Sequence, residues 1–309
     1  MRFPIENCQY LGFFPPYRTA EALSHPGQIP MGPLPNRGSV LIWNMAVGDR
    51  SQAARAVKNR PPGVALFAIL PPAPRWDTTG ALLGVLEDCR PHSVLPHMGD
   101  LDTEDLVAIL RRFPSDLAVE VTDYLHWRGL DVDQDTRRLL RKILELSGEL
   151  RTVTGLSRAL YMSRRALGRR FMNRGLPVPS HWLHFGRILR AAIRLQDPAA
   201  NLFAVGCDLG YPDGFALSNQ MKRLTGLRPS ILRECFGWEW IVESWLIQEA
   251  QAGSFSASVR SALFRLTGKN SERQQAAIAG AHRPLSGQIL RVAEDRPRNP
   301  RSTEKATPA

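Results

Sequence analysis

Cysteine and long apolar runs are scarce in this sequence of 309 residues. Its four cysteines have no CxxC spacing and no histidine at metal-binding intervals, which argues against a disulfide scaffold or a zinc site. His181 and His184 lie one helical turn apart but lack a third ligand. No apolar run approaches the length of a membrane span, and the first residues, MRFPIENC, show no secretory pattern. We therefore expect a cytoplasmic protein with reduced thiols and without a cofactor, a metal or a membrane partner.

Positive charge is abundant but unevenly placed, with a net charge of +11 for the whole chain. Residues 1–135 have a net charge of −4, residues 136–250 of +9 and residues 251–309 of +6. An acidic front and a basic back are typical of an effector domain joined to a nucleic-acid-binding domain. Charge alone leaves open a basic solvated surface without a partner.

Residues 1–37 are rich in proline and aromatic side chains. Proline at this density disfavours helices and interior strands, so we expect an irregular Pro-rich arm. Its apolar side chains would pack on the next domain or on a partner chain.

Residues 38–130 alternate short apolar runs with amphipathic stretches, which predicts an α/β domain with a small parallel, doubly wound sheet. The expected strands are residues 40–43, 64–70, 93–95 and 117–121, and the expected helices are residues 50–59, 78–89 and 103–113.

The strand and helix spacing of this domain is similar to that of response-regulator receiver domains. A receiver needs acidic residues after its first strand for Mg²⁺ and an aspartate after its central strand for phosphate. Here the first strand ends in Trp43-Asn44-Met45, and residues 68–72 contain no aspartate. We therefore expect no phosphorylation, and the signal of this domain stays open.

The clearest pattern runs from Asn201 to Arg233. Apolar residues recur at helical spacing in two groups, Leu202, Val205 and Leu209, then Leu217, Met221 and Leu224. Between them, Gly210 suits a chain reversal with positive φ, and Asp213 is a good N-cap. Two short helices joined by a tight turn, the second with a polar and basic outer face, predict a helix-turn-helix suited to a major groove.

The runs LGY at 209–211 and KRLTGLRPS at 222–230 resemble the signature of the AraC/XylS family of transcription regulators. The resemblance covers roughly residues 135–240 and implies two helix-turn-helix units joined by a linker helix. We place this all-α DNA-binding domain at residues 131–249, followed by a basic, disordered tail at 250–309 with one weak helix at 256–266. The expected helices are a first helix at 131–150 capped by Asp133 or Asp135, the first unit at 151–175, a linker helix from Ser180 to Gln196 and an aromatic amphipathic helix at 236–249. We expect Ser180 to be the N-cap of the linker helix, whose outward residues are Arg187, Arg190 and Arg194. The expected inward residues of the last helix are Trp238, Ile241, Trp245 and Leu246.

In the first unit, Ser163 is the expected N-cap of a helix that buries Leu167 and Phe171. The resemblance implies that Arg165, Gly168 and Arg169 face the groove. Since a guanidinium can fork onto guanine, we expect Arg165 and Arg169 to contact bases and Arg164 and Arg170 to contact phosphates. In the turn, where the family usually has glycine, this sequence has Tyr161, which is costly at positive φ.

In the second unit, the resemblance implies that Gly214, Phe215, Ser218 and Asn219 face the groove. Asn219 suits adenine and Phe215 a thymine methyl, while Lys222 and Arg223 suit phosphate or packing. Because Gly214 has no side chain, we expect the first unit to supply more of the specificity. The expected DNA-binding residues are Ser163, Arg164, Arg165, Arg169, Arg170, Gly214, Phe215, Ser218, Asn219, Lys222 and Arg223.

The sequence thus predicts a DNA-binding transcription regulator that is not an enzyme and whose partner is double-stranded DNA. RNA polymerase and a second copy of the chain are further candidate partners, and any small-molecule effector is unknown. One alternative is a degenerate relative that acts through protein contacts. The other is a DNA alkyl-transfer repair protein, which needs a reactive cysteine in a setting that Cys8 and Cys89 lack.

Overall fold

The computed structural model describes residues 2–5, 7–15, 17–29, 38–72, 76–97, 99–111, 114–234 and 237–265. The strands are β1 Arg2–Pro4, β2 Tyr10–Phe13, β3 Ala20–Leu23, β4 Val40–Asn44, β5 Ala65–Ile69, β6 Ser93–Leu95 and β7 Asp100–Asp102. The helices before the first helix-turn-helix unit are α1 Arg50–Lys58, α2 Trp76–Cys89, α3 Thr103–Leu110, α4 Leu117–Trp127 and α5 Gln134–Leu146. The remaining helices are α6 Val153–Ala159, α7 Arg164–Asn173, α8 Pro179–Leu195, α9 Leu202–Asp208, α10 Gly214–Thr225, α11 Pro229–Glu234, α12 Trp238–Gln251 and α13 Ala257–Arg265.

A five-stranded sheet of order β3-β2-β4-β5-β6 forms the centre of the first part of the chain. Strands β4, β5 and β6 are parallel neighbours, connected through α1 and α2. This confirms the α/β class and the first three predicted strands. Strands β2 and β3 add an antiparallel pair, with Tyr10 opposite Trp43, so the sheet is mixed.

The central strands are buried along their whole length, because both faces of the sheet are covered. Leu41 and Trp43 face a core shared with α1 and α2. Val40 and Ile42 face the opposite core, which includes side chains of α3 and of β7. Buried strands of this kind read as continuous apolar runs, which is why they could be located in the sequence.

The expectation of an irregular arm is wrong where the structure describes it, since β2 and β3 belong to the sheet. The proline-free run YLGF at 10–13 forms a buried strand, with the prolines flanking it at 4 and 15. Residues 30–37 lie outside the described residues. The disordered tail predicted from residue 250 is wrong up to residue 265, because these residues end α12 and form α13, with Leu263 buried. The rest of the predicted tail, from residue 266 onward, lies outside the described residues.

The strand expected at residues 117–121 is also wrong, because these residues begin α4. Asp116 caps this helix by accepting a hydrogen bond from the backbone N–H of Val119 at 3.0 Å. Ala118, Val121 and Leu125 recur at helical spacing and are buried in the helical core. A short apolar run fits either structure, and here the cap and the i, i+3, i+7 spacing select the helix.

The linker helix α8 is the centre of the helical part, and most of its side chains are buried. It begins at Pro179 after Val178, which makes no side-chain cap, so the expected cap by Ser180 is wrong. Proline at the first helical position is preorganised for a helix start. On its buried side, Trp182 and Phe185 pack on Trp245 of α12, with ring centroids 4.6 and 4.1 Å apart.

Helix α12 joins the two parts of the molecule. Its expected inward residues Trp238, Ile241, Trp245 and Leu246 are buried, but so are Glu239 and Glu243 on its other sides. The expected amphipathic character is therefore wrong. The two carboxylates are buried together with partners, His92 of the α/β part for Glu239 and Arg128 at the end of α4 for Glu243.

The ion pair between His92 Nδ1 and Glu239 Oε1 spans 2.9 Å and ties the start of β6 to α12. Burial lowers the pKa of His92, but the charge and hydrogen bond of Glu239 outweigh it and raise the pKa above its ordinary value. Burial raises the pKa of Glu239, yet His92 brings it below its ordinary value. The pair is therefore charged in the mildly acidic range.

We predict that His92→Gln lowers the urea midpoint at pH 6 and that its difference from the wild-type protein shrinks at pH 8.5. A raised histidine pKa stabilises the fold fully below the unfolded pKa, about 6.5, and this contribution is lost as pH rises through the folded pKa. The measurement is urea unfolding at both pH values. The control is His126→Gln, since His126 is exposed. An equal difference at both pH values would contradict the prediction.

Candidate nucleic-acid interface

The first helix-turn-helix unit consists of α6 and α7. Ser163 begins α7 by accepting a hydrogen bond from the backbone N–H of Ala166 at 3.1 Å, as predicted. Leu167 and Phe171 are buried on the inner face. On the outer face, the expected side chains Arg164, Arg165 and Arg169 are exposed. Helix α7 therefore presents a cationic surface next to its capped N-terminus.

The turn that ends α6 is repeated in the turn that ends α9. At the first, Tyr161 N–H bonds to Arg158 C=O at 3.1 Å and Met162 N–H to Ser157 C=O at 2.9 Å. At the second, the N–H groups of residues 210 and 211 make the same two bonds, both at 2.9 Å. This is the Schellman closure, which needs a left-handed residue. Tyr161 has φ +52° and Gly210 has φ +78°, so tyrosine occupies the position expected for glycine.

The second unit consists of α9 and α10. Asp213 caps α10 by accepting from the backbone N–H of Ala216 at 2.6 Å, as predicted. Leu217, Met221 and Leu224 form the buried face. On the other face Phe215 is 75% exposed, Asn219, Lys222 and Arg223 are exposed, and Ser218 is half-buried. An aromatic side chain this exposed is available for contact with another molecule.

Two glycines of the recognition helices have different surroundings. Gly214 is buried, and a Cβ there would lie 3.1 Å from Leu202 Cγ and 3.3 Å from Phe203 N. This burial argues against the groove-facing role expected for Gly214 and indicates close packing of α10 on α9. A Cβ at Gly168 would meet nothing within 4 Å.

The arginines of the first unit fall into two groups. Arg170 pairs with Asp133 at 3.6 Å and Asp135 at 3.2 Å, and Arg174 pairs with Asp133 at 2.9 Å. Asp133 also caps α5, and its hydrogen bonds from Thr136, aided by these arginines, lower the pKa of its carboxyl. Within the described part of the chain, no ion pair is seen for the exposed cations Arg164, Arg165, Arg169, Lys222 and Arg223.

Two arginines of the linker helix were expected to face outward, but they contact other parts of the domain. Arg187 is buried, donates to Leu209 C=O at 2.6 Å and lies 4.5 Å from the ring of Tyr211. Arg190 donates to Leu144 C=O at 2.9 Å at the end of α5. Arg187 therefore supports the second turn rather than DNA. The aromatic residue after Gly210 is the sequence signal for this stacked contact.

Histidine and cysteine side chains are the remaining candidates for metal binding or nucleophilic chemistry. His181 pairs with Glu249 at 2.9 Å. Among the described residues, no group of three or more His, Cys, Asp or Glu side chains could hold a metal ion. Burial raises the pKa of the Cys89 thiol, which disfavours its reactive thiolate form. Within the same residues, no helix combines the length and apolarity that crossing a membrane requires.

Comparison with known proteins bears directly on this geometry. A family model described as a helix-turn-helix domain matches residues 156–234. These residues form a DNA-binding domain of AraC type. The matched range begins in α6 and ends with α11, so it contains both turns, both recognition helices and the linker helix. No curated protein and no solved structure gives a match.

We predict opposite effects on stability for two glycine substitutions in the AraC-type domain. Gly168→Ala should raise the free energy of unfolding by about 0.5–1 kcal/mol, because glycine weakens a helix interior and the site has room for a methyl group. Gly214→Ala should lower it, because the methyl group would press on Leu202 and the backbone of Phe203. Urea unfolding of both variants measures the difference. A stabilising Gly214→Ala would contradict the close packing of α9 and α10.

Proposed function

We propose that this protein is a sequence-specific transcription regulator whose helices α7 and α10 enter successive major grooves on one face of a DNA duplex. The observation that carries the proposal is the pair of turns with the same closure, each followed by a capped helix with an exposed polar or cationic face. Both units pack on α8, so one rigid helix sets their spacing.

The length of the linker helix agrees with this arrangement. Helix α8 has 17 residues, which corresponds to about 25 Å at 1.5 Å per residue. Successive major grooves on one face of DNA are about 34 Å apart. Packed helices lie about 8–10 Å apart, axis to axis. Recognition helices packed on opposite ends of α8 would therefore be separated by a distance similar to the spacing of two neighbouring grooves.

Each exposed side chain has a role in the proposal. Arg165 and Arg169 read guanine, whose N7 and O6 accept the two N–H groups of a guanidinium. Arg164 binds phosphate, and the Ser163 hydroxyl remains free to donate to one while it caps α7. Arg170 contributes less, because Asp133 and Asp135 already neutralise it.

The second unit reads DNA by a different chemistry in the proposal. Asn219 pairs with adenine through its amide, and Phe215 contacts a thymine methyl group. Lys222 and Arg223, one turn further along α10, neutralise phosphates, and half-buried Ser218 adds a hydroxyl contact. Gly214 has no part in DNA contact, because it packs on α9.

Two alternatives make different demands. A degenerate protein that acts only through protein contacts would have no need of unpaired arginines beside a capped helix. An alkyl-transfer protein needs an activated thiolate, whereas burial raises the pKa of the Cys89 thiol and Cys207 lies exposed on α9 without a metal cluster among the described residues. Contacts with RNA polymerase, a second copy of the chain or an effector remain part of the proposal.

The first experiment is selection of random duplexes by the full-length protein at two salt concentrations. An enriched motif that spans about two helical turns, with affinity falling steeply with salt, is expected for two-site reading with phosphate contacts. Binding without an enriched motif would reduce the basic face to an electrostatic surface. Absence of binding at both salt concentrations would overturn the proposal.

We predict that Arg169→Ala weakens binding to the selected duplex by about 1–3 kcal/mol and relaxes the preference at one base pair, because a bidentate base contact is lost. Arg170→Ala should have a smaller effect, since Asp133 and Asp135 already hold that side chain. Titration of the selected duplex and of its single-base variants measures both. The control is Arg55→Ala, which removes the same charge from an exposed position on α1. Equal losses for all three variants would indicate charge alone.

A further inference from the structure

Three residues other than glycine have a positive φ among the described residues, namely Tyr17, Arg90 and Tyr161. Tyr17 is buried and donates its hydroxyl to Gly38 C=O at 2.7 Å. Arg90 pairs with Asp123 at 3.7 Å, and its own C=O accepts from Arg60. Both side chains therefore gain contacts that offset the strained backbone.

Tyr161 gains no such contact. Its side chain is 98% exposed, and in the part of the chain that the structure describes it makes no hydrogen bond and no ring contact. A bulky residue in the left-handed region is an outlier that calls for an explanation. The fold alone provides none.

The same chain uses glycine wherever else this closure is described. The helices α4, α7, α9 and α12 end with the same two hydrogen bonds, and each has glycine at the left-handed position. These glycines are Gly129, Gly175, Gly210 and Gly253. Glycine is the residue that fits this position without strain. At Gly210 a Cβ would also collide with Arg151 Nε at 2.0 Å, whereas the space around Tyr161 is open.

The surroundings of Tyr161 suit an anionic partner. It lies two residues before the N-cap Ser163, at the end of the recognition helix that approaches DNA in this motif. Arg158, Arg164 and Arg165 flank it in sequence and are exposed. A tyrosine hydroxyl is a donor that binds phosphate oxygens in protein–DNA complexes.

We propose that Tyr161 is a DNA-contact residue whose hydroxyl donates a hydrogen bond to a backbone phosphate beside the groove that α7 enters. The inference rests on the proposed function, because the phosphate is that of the bound duplex. The tyrosine adds a neutral, rigid contact to the charged contacts of Arg164 and Arg165. It accounts for a strained, fully exposed aromatic side chain at a position where glycine would stabilise the free protein.

The test measures DNA affinity and stability in the full-length protein for Tyr161→Phe and Tyr161→Gly. Tyr161→Phe should weaken binding to the selected duplex about three- to tenfold, as expected for one hydrogen bond, with an unchanged salt slope because no charge is lost. Tyr161→Gly should weaken it at least as much while raising the urea midpoint. Tyr10→Phe, a hydroxyl deletion in the buried sheet, is the control and should bind as the wild-type protein does.

The outcomes separate this inference from the function on which it rests. A wild-type protein that binds no duplex would overturn both. A wild-type protein that binds, with both Tyr161 variants binding equally well, would overturn the Tyr161 contact alone. Full binding by Tyr161→Phe with weak binding by Tyr161→Gly would overturn hydroxyl donation. A lower urea midpoint for Tyr161→Gly would overturn the argument from backbone strain.

Discussion

The carboxylate of Glu243 is fully buried, and the junction between the two parts of the molecule depends on its partners. It pairs with the buried guanidinium of Arg128 and accepts the Tyr124 hydroxyl at 2.8 Å. Burial lowers the pKa of Arg128, but the charge of Glu243 outweighs it and keeps the arginine charged. Removing one partner from such a pair costs about 3–5 kcal/mol, because the other charge is left buried alone. Gly63 completes the junction by donating its N–H to the Tyr124 hydroxyl at 3.3 Å, where a Cβ would lie 3.3 Å from Trp240 Cα.

This junction also determines how the recognition helices are supported. Helix α12 packs on α8 and α10 and is anchored to the α/β part through Glu239 and His92. A further contact across the junction places the Arg60 guanidinium 4.7 Å from the ring of Trp127. The AraC-type domain is therefore held from outside its own matched residues. Fixed spacing before binding reduces the ordering cost of forming a complex, which favours reading by preformed helices.

The features that the sequence predicted correctly are local. The caps Ser163 and Asp213, the apolar stripes and the left-handed Gly210 each depend on a few neighbouring residues, and the structure has them. Two of the errors concern features that depend on distant residues. Strands β2 and β3 require β4 as a partner, and the burial of Arg187 requires Leu209 and Tyr211 across the domain. No pattern within residues 1–37 or within the linker helix alone contains that information.

The pairing of charges in α7 has a consequence for the kind of DNA site that the proposal implies. Arg170 pairs with aspartates at the start of α5, whereas no ion pair is seen for Arg165 or Arg169 among the described residues, and the proposal assigns these two to guanine. In α10 the exposed groups are an amide and an aromatic ring, which suit adenine and thymine. Two units with the same turn geometry would then read unlike half-sites. Under the proposal, one chain would read an asymmetric site and fix its own orientation on the duplex without a second copy.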